Sequence, residues 1–456
     1  MIRVRCFLFS LLLLAVLAAN ASAQDDLRSL SLTEAIALAL HNNEAIGIAD
    51  AGYDAADAGV WQAYGAMMPS LNAYGQFTRN LTKPTMDNEM YLPLTPLFMA
   101  HEYPPIGTIE QDLVYDNEWV FGARLEQPLF TSGRIYNALC LAKAYRQMAD
   151  IDRGKQEKDV RQKTEEAYLA ALLTRETLTI YRQALDQTIK RRDDIKSKRD
   201  RGLVSDYDLM FVETEVAKRR SPLISAENNY ENALRALKMQ IGLPQEATVE
   251  LTDALHLEPL TLERQQAIDE ALSNRDELNL LSAQIDARKS EANLYLSNML
   301  PTVGAFGEVD LTTQLNDDFW PREEDDEFKQ FTTIGIGVNW PLFDGLQNYQ
   351  KRRQTRAQQR ADELTRQQAQ RGIELEVNAC FNNLNTKREE VAAHRQTVQL
   401  AERTYQLAEI RYQSGLATQL ELNDAQLNVT STKTELAASV YGYALARAQL
   451  LRALGR

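Results

Sequence analysis

Two stretches, Pro128 to Gly242 and Pro341 to Gly455, carry the same landmarks at a constant separation of 213 positions. Pro128-Leu129-Phe130 falls on Pro341-Leu342-Phe343, Tyr168 on Phe381, Gly202-Leu203 on Gly415-Leu416 and Gly242 on Gly455, while Gly133 lies one step out of register with Gly345. A register held without a gap over more than a hundred residues outranks local propensity as a guide to architecture. The sequence predicts one structural unit written twice, so each later expectation has to hold for both copies.

The first 23 residues read as an export signal. Arg3 and Arg5 precede an apolar run from Phe7 to Leu17, and Ala21-Ser22-Ala23 supplies small residues for cleavage before Gln24. Cys6 precedes the apolar run, so it does not read as a lipid-attachment site. Removing this segment takes two arginines and no acid, which moves the formal charge from −14 to −16. An acidic chain of this kind argues against nucleic acid as a partner, since phosphates demand a basic surface. Cys140 and Cys380 do not occupy equivalent places in the two copies, so no disulfide framework is expected. His41, His101, His256 and His394 are scattered without ligand spacing, and no metal or other cofactor is expected. There is no Gly-rich phosphate loop, H-E-x-x-H or G-x-S-x-G, so no enzyme is read here.

Ser31-Leu32-Thr33-Glu34 reads as a helix N-cap followed by apolar residues at helical spacing to about Ala66, where Pro69 stops the helix. The second copy has the same element at an offset of 232, with Leu272-Ser273-Asn274 on Leu40-His41-Asn42 and Pro301 on Pro69. The period then falls to two. Leu71, Ala73, Gly75 and Phe77 alternate with Asn72, Tyr74, Gln76 and Thr78, and Trp119, Phe121, Ala123 and Leu125 form the return strand. Copy two repeats this with Val303, Ala305, Gly307 and Val309, then Ile334, Ile336, Val338 and Trp340. Alternating runs of about ten residues with aromatics near their ends fit strands that cross lipid at a tilt. A sheet packed on a soluble core fits the alternation equally well. The loop between the strands holds Pro84, Pro93, Pro96, Pro104 and Pro105 in copy one, and an acidic block around Glu323 to Glu327 in copy two, read as a solvated charge run.

After Pro128 and Pro341 the helical period returns. From Ile135 to Arg201 there is no proline, which predicts a helix of about 100 Å at ~1.5 Å per residue. Val160, Ala167, Ala171, Leu178, Leu185 and Ile195, and in copy two Ile373, Val377, Leu384, Val391 and Val398, recur at heptad spacing, which predicts coiled-coil packing. Gly202 and Gly415 close these helices, and Ser205 and Thr418 cap the helices that return. The expected organisation is a signal at 1–23, a first repeat at 24–242 (hairpin 70–129, helix pair 134–242), a surface linker at 243–261 and a second repeat at 262–456 (hairpin 302–342, helix pair 346–455). Four lipid-crossing strands cannot close a barrel alone, since open edges in hydrocarbon leave backbone groups unpaired and the smallest barrels use about eight strands.

The repeat, Ser31-Leu32-Thr33-Glu34-Ala35, Pro69-Ser70-Leu71, the strand-to-helix junctions Pro128-Leu129-Phe130-x-x-Gly133 and Pro341 to Gly345, and the Gly202-Leu203 and Gly415-Leu416 turns together resemble the TolC-like outer membrane efflux proteins. The resemblance implies a mainly α fold with a transmembrane β-barrel portion: a homotrimer in outer-membrane lipid, with a 12-stranded barrel and a long periplasmic α-helical tunnel. It implies a channel for small molecules or polypeptides that works with a periplasmic adaptor (membrane fusion) protein and an inner-membrane pump of RND or ABC type, including type I secretion systems. Carried over by position, Gly202, Leu203, Gly415 and Leu416 are adaptor-docking turns, and Tyr412, Glu421 and Asp424 line the periplasmic constriction, with Asp206 and Asp208 adding charge at the other turn. Ala417 departs from the family pattern, which has a basic residue there. The competing reading is a soluble periplasmic coiled-coil adaptor or scaffold, which would not require four alternating strands.

Overall fold

A computed structural model describes residues 28–82, 85–90, 107–112, 114–316, 318–321 and 327–456. The export signal, the loop prolines and most of the acidic block lie outside the described residues. The described elements run β1 (Arg28–Leu30), α1 (Leu32–Asn42), α2 (Glu44–Gly65), β2 (Ser70–Arg79), β3 (Thr85–Met90), β4 (Gly107–Asp112), β5 (Asn117–Phe130), α3 (Arg134–Asp200) and α4 (Asp206–Gln240). They continue with β6 (Val249–Leu251), α5 (Arg264–Asn274), α6 (Asp276–Ser297), β7 (Thr302–Leu315), β8 (Lys329–Asn339), α7 (Gln347–Gln413) and α8 (Gln419–Ala453). Lengths recur with the landmarks: α3 and α7 have 67 residues each, α4 and α8 35, α1 and α5 11, and α2 and α6 22.

By contact the chain forms two units, one of Ala56–Arg146 with Ile285–Ala361 and the other of the remainder. The first unit holds an antiparallel sheet in the order β2-β5-β7-β8. Its register places Leu71 opposite Leu125, Leu125 opposite Gly307 and Gly307 opposite Ile334, so the apolar sets of four strands share one face. On that face Leu71, Leu125, Val309, Leu311, Ile334, Ile336 and Val338 are all exposed, which a water-facing sheet would not tolerate. Toward one end, Phe77, Trp119, Phe319, Trp320 and Phe328 form a chain of ring contacts with centroids 4.7 to 5.9 Å apart. The outer edges of β2 and β8 have no strand partner among the described residues. β3 and β4 form a separate two-stranded sheet in the first hairpin loop, which the proline content did not lead us to expect.

In the second unit the predicted seams are buried: Val160, Ala171, Leu178, Leu185 and Ile195 on α3, and Ile373, Val377, Leu384, Val391 and Val398 on α7. One expectation is corrected. The helix read as running from Leu32 to about Ala66 breaks at Asn43, whose backbone is extended. Its side chain accepts from Ala45 N at 3.0 Å and donates to Gln240 O at 3.1 Å, so two polar partners replace the missing helical bonds. Arg275 makes the same break between α5 and α6. The linker runs along the surface with one side packed on the unit, His256 and Glu258 being exposed between half-buried leucines. β6 pairs in parallel with β1, and Leu255, Leu257, Leu260 and Leu262 pack on the apolar core. Two tyrosines pin it: the Tyr168 hydroxyl lies 2.9 Å from Leu30 O and from Asp253 Oδ2, and the Tyr443 hydroxyl donates to Glu258 O at 3.0 Å. No helix among the described residues is long and apolar enough to cross a membrane.

Candidate functional site

The two helix turns have one backbone design. Gly202 and Gly415 sit at φ +73° and +72°, where glycine carries no Cβ penalty. Leu203 N bonds Lys198 O and Leu416 N bonds Arg411 O, at 2.9 and 2.8 Å, which satisfies carbonyls that the helix end leaves open. Leu203 and Leu416 consequently project into solvent as exposed apolar side chains. Gln419 Nε2 reaches Asp208 O at 3.5 Å, so the starts of α4 and α8 are neighbours.

The acids predicted to line a constriction divide by local chemistry. Asp208 closes a capping box: Ser205 Oγ accepts from Asp208 N at 3.2 Å, while Ser205 N donates to Asp208 Oδ2 at 3.1 Å. Asp206 is exposed and ion-paired to Arg199 at 3.0 Å. Glu421 occupies the N3 position of α8, where its amide donates to Thr418 Oγ1 at 3.2 Å. Its own carboxylate and that of Asp424 face solvent one helical turn apart. Tyr412 is half-buried, and burial pushes its hydroxyl pKa up, with Lys198 opposing. It lines a cavity of about 500 Å³ together with Lys190, Arg191, Asp194, Lys198 and Tyr405.

Deeper along the helices lies a polar layer that the sequence reading passed over. Glu215 and Arg219 on α4, and Asn423 and Gln426 on α8, are all more than nine-tenths buried. Arg219 Nη2 donates to Asn423 Oδ1 at 3.0 Å, and Asn423 Nδ2 donates to Glu215 Oε2 at 3.1 Å. Gln426 accepts from Arg191 at 2.6 Å and donates to Ala184 O at 3.2 Å. Burial, with Arg191 nearby, lowers the pKa of Arg219. The available signal was an interruption of the apolar seam, since Arg219 and Gln426 stand three and four residues beyond Val216 and Leu422.

In the sheet unit, the face opposite the apolar one is polar and glycine-floored. Tyr74 crosses over Gly122, where a Cβ would come within 2.5 Å of its ring, and its hydroxyl lies 2.6 Å from Glu308 Oε1 and 2.5 Å from Asp310 Oδ1. Phe306 lies over Gly335 in the same way, beneath the Arg124 guanidinium at 5.0 Å. The strand-to-helix junctions after Pro128 and Pro341 each hold two successive left-handed residues, Ser132-Gly133 and Gly345-Leu346. The backbone thus keeps the 213-residue register through the mismatch of Gly133 and Gly345, and glycine has changed places within the pair.

The family model described as "Outer membrane efflux protein" matches residues 35–243 and 267–456. Outer membrane protein TolC of Escherichia coli is 23% identical over 388 residues, covering 81% of this chain and 76% of TolC. Alkaline protease secretion protein AprF of Pseudomonas aeruginosa is 22% identical over 348 residues, covering 75% and 71%. Among solved structures, VceC from Vibrio cholerae superposes with a TM-score of 0.70 at 16% identity, covering 93% of this chain and 96% of that one. The Campylobacter jejuni CmeC outer membrane channel gives 0.72 at 16%, covering 93% and 85%. The matches decide between the two sequence readings against the soluble adaptor. The chain belongs to the outer membrane efflux protein family, as a TolC-like channel of the Gram-negative outer membrane.

Proposed function

We propose that three copies pool their sheets into a 12-stranded barrel continued by a periplasmic helical tunnel, the whole written as two repeats at 24–242 and 262–456 around a 243–261 linker. The carrying observation is the four-stranded sheet with an exposed apolar face and two open edges. In hydrocarbon each unpaired backbone group costs several kcal/mol, and only the edges of further copies can satisfy them. On this reading the Tyr74 face lines the lumen and the Leu71 face meets lipid.

The conduit carries small molecules or polypeptides delivered by a periplasmic adaptor and an inner-membrane pump of RND or ABC type. A relative named for alkaline protease secretion supports a polypeptide cargo. Docking falls to Gly202, Leu203, Gly415 and Leu416, whose exposed leucines on rigid turns suit an apolar partner tip. Glu421 and Asp424, together with Tyr412 and with Asp206 and Asp208 at the other turn, form the periplasmic constriction. A threefold ring of carboxylates favours cations. The junctions at Pro128, Gly133, Pro341 and Gly345 turn each strand into its helix. Replacing Glu421 and Asp424 together by Ala is expected to reduce the cation preference of the reconstituted pore. An unchanged reversal potential would remove these residues from the constriction.

A further inference from the structure

α1 rests on the apolar core through Ala35 and Ala39, both fully buried. Beside that contact Leu32, Ile36 and Leu40, a stripe in steps of four, are only half-buried, and with Leu451 they give an apolar floor to a cavity of about 420 Å³. Its walls are cationic: Lys158 and Arg161 from α3, Arg447 and Arg452 from α8 and Arg456 beyond it, against one lining acid, Glu165. Four of the five cations are anchored from outside the cavity, Lys158 by Asp276, Arg447 by Glu258, Arg452 by Asp159 and Arg456 by Glu270, at 2.9 Å or less. Arg161 is exposed and has no ion pair among the described residues. Arg447 meets Glu165 only at 3.8 Å, and burial raises the pKa of Glu165 with Arg447 opposing, so this acid is a weak partner. Arg447 Nε and Arg452 Nη1 are buried without an acceptor among the described residues, although buried donors are normally paired.

The duplicated chain supplies its own control. At the offset of 213, the positions of Arg161, Arg447, Arg452 and Arg456 hold Glu374, Leu234, Met239 and Leu243, and only Lys158 keeps a cation, as Arg371. Helices of the same length thus form without these arginines, so the fold that the copies share does not require them. We propose that the cavity is a binding site for an anion carried on a short apolar stem, a carboxylate or a phosphate monoester. Arg447 Nε and Arg452 Nη1 donate to its oxygens in charge-assisted hydrogen bonds, and Arg161 adds the one cation that no carboxylate already holds. The stem lies along Leu32, Ile36 and Leu40. A bare inorganic anion would leave that floor uncovered, and a neutral apolar molecule would leave the donors unpaired. Every lining residue comes from one copy of the chain, and nothing at the helix turns takes part.

The test is calorimetric titration of the full chain in a neutral maltoside detergent, which offers no competing anion. Hexyl phosphate, hexanoate, inorganic phosphate and hexanol are the probes, at constant ionic strength. One of the two hexyl-chain anions is expected to bind at least about tenfold more tightly than inorganic phosphate, since each buried methylene is worth about fourfold. Which of the two binds more tightly tells a phosphate headgroup from a carboxylate. Hexanol should give no saturable heat. Arg161→Gln changes an exposed residue, and Thr33→Glu sets an acid beside the cavity in the first turn of α1, where a helix favours one. Both should melt as the parent does and weaken the preferred anion by about tenfold, with Arg161→Lys restoring most of the loss. Parental affinity in both variants would overturn the proposal, as would hexanol binding as tightly as the anions or no saturable heat from any probe. Inorganic phosphate binding as tightly as the hexyl-chain anions would mean an adventitious ion only, and would overturn it too.

Discussion

Four glycines at positive φ form two matched pairs, which allows conformation and packing to be separated experimentally. Alanine at Gly202 or Gly415 meets nothing within 4 Å, so it carries only the cost of a left-handed conformation. That cost is about 1–2 kcal/mol, partly offset by about 0.4–1 kcal/mol from a less flexible unfolded chain. Gly242 and Gly455 have the same kind of φ, at +68° and +85°, but a Cβ would stand 2.7 Å from Asn42 Cβ in the first and 2.8 Å from Asn274 O in the second. Neither neighbour is a flexible side-chain end, so the backbone has to shift, at about 1–3 kcal/mol more. Gly455→Ala should therefore be the most damaging of the four, Gly242→Ala next, and the two turn variants close to the parent. Thermal unfolding in detergent at one scan rate ranks them. A Gly455→Ala protein that melts with Gly415→Ala would refute the reasoning, because it would mean that the close approach of the α5 end to the α8 end has no packing role.

Gly122→Ala should displace Tyr74 from Asp310 and lift its ring off the sheet; a lower single-channel conductance with an unaltered melting temperature is expected, and unaltered conductance would count against a luminal Tyr74. Leu346→Gly removes a non-glycine residue at φ +63° and is expected to stabilise by up to about 1 kcal/mol, while Gly345→Ala destabilises by a similar amount; equal melting temperatures would deny strain at the junction. The hydrogen bond from Ser31 N to Glu34, at 2.8 Å, leads the causes that lower the pKa of Glu34. A carboxyl depressed on folding contributes stability that is present above its ordinary value and is lost as pH falls through the depressed one. Glu34→Gln, which cannot titrate, should accordingly flatten the acid limb of the melting temperature below about pH 4.5, and an unaltered limb would show that the cap does not titrate.

Much of the architecture was legible because the chain states it twice. Heptads on α3 and α7, the two turn glycines and the alternating strands are patterns of period and position, and both copies carry them. The helix break at Asn43 was not legible, since its cause is a tertiary bond to Gln240 O, almost two hundred residues away. The packed side of the linker was overlooked: Leu255 and Leu257, and Leu260 and Leu262, stand two apart, the alternation of a one-sided extended segment, and they pack on the core. At the candidate site, Gly202 and Gly415 followed from backbone need. Glu215, Arg219, Asn423 and Gln426 did not, because a polar residue on a polar-rich helix looks solvated until its neighbours are known. Asp208 was read for a constriction, and its local partner is the Ser205 cap.

The account depends on edge strands from separate copies completing one barrel. Native mass spectrometry of the protein extracted from outer-membrane fractions tests this most directly. Three copies in a heat-modifiable, detergent-requiring assembly is the predicted result; a monomer that stays soluble without detergent in the periplasmic fraction would contradict it.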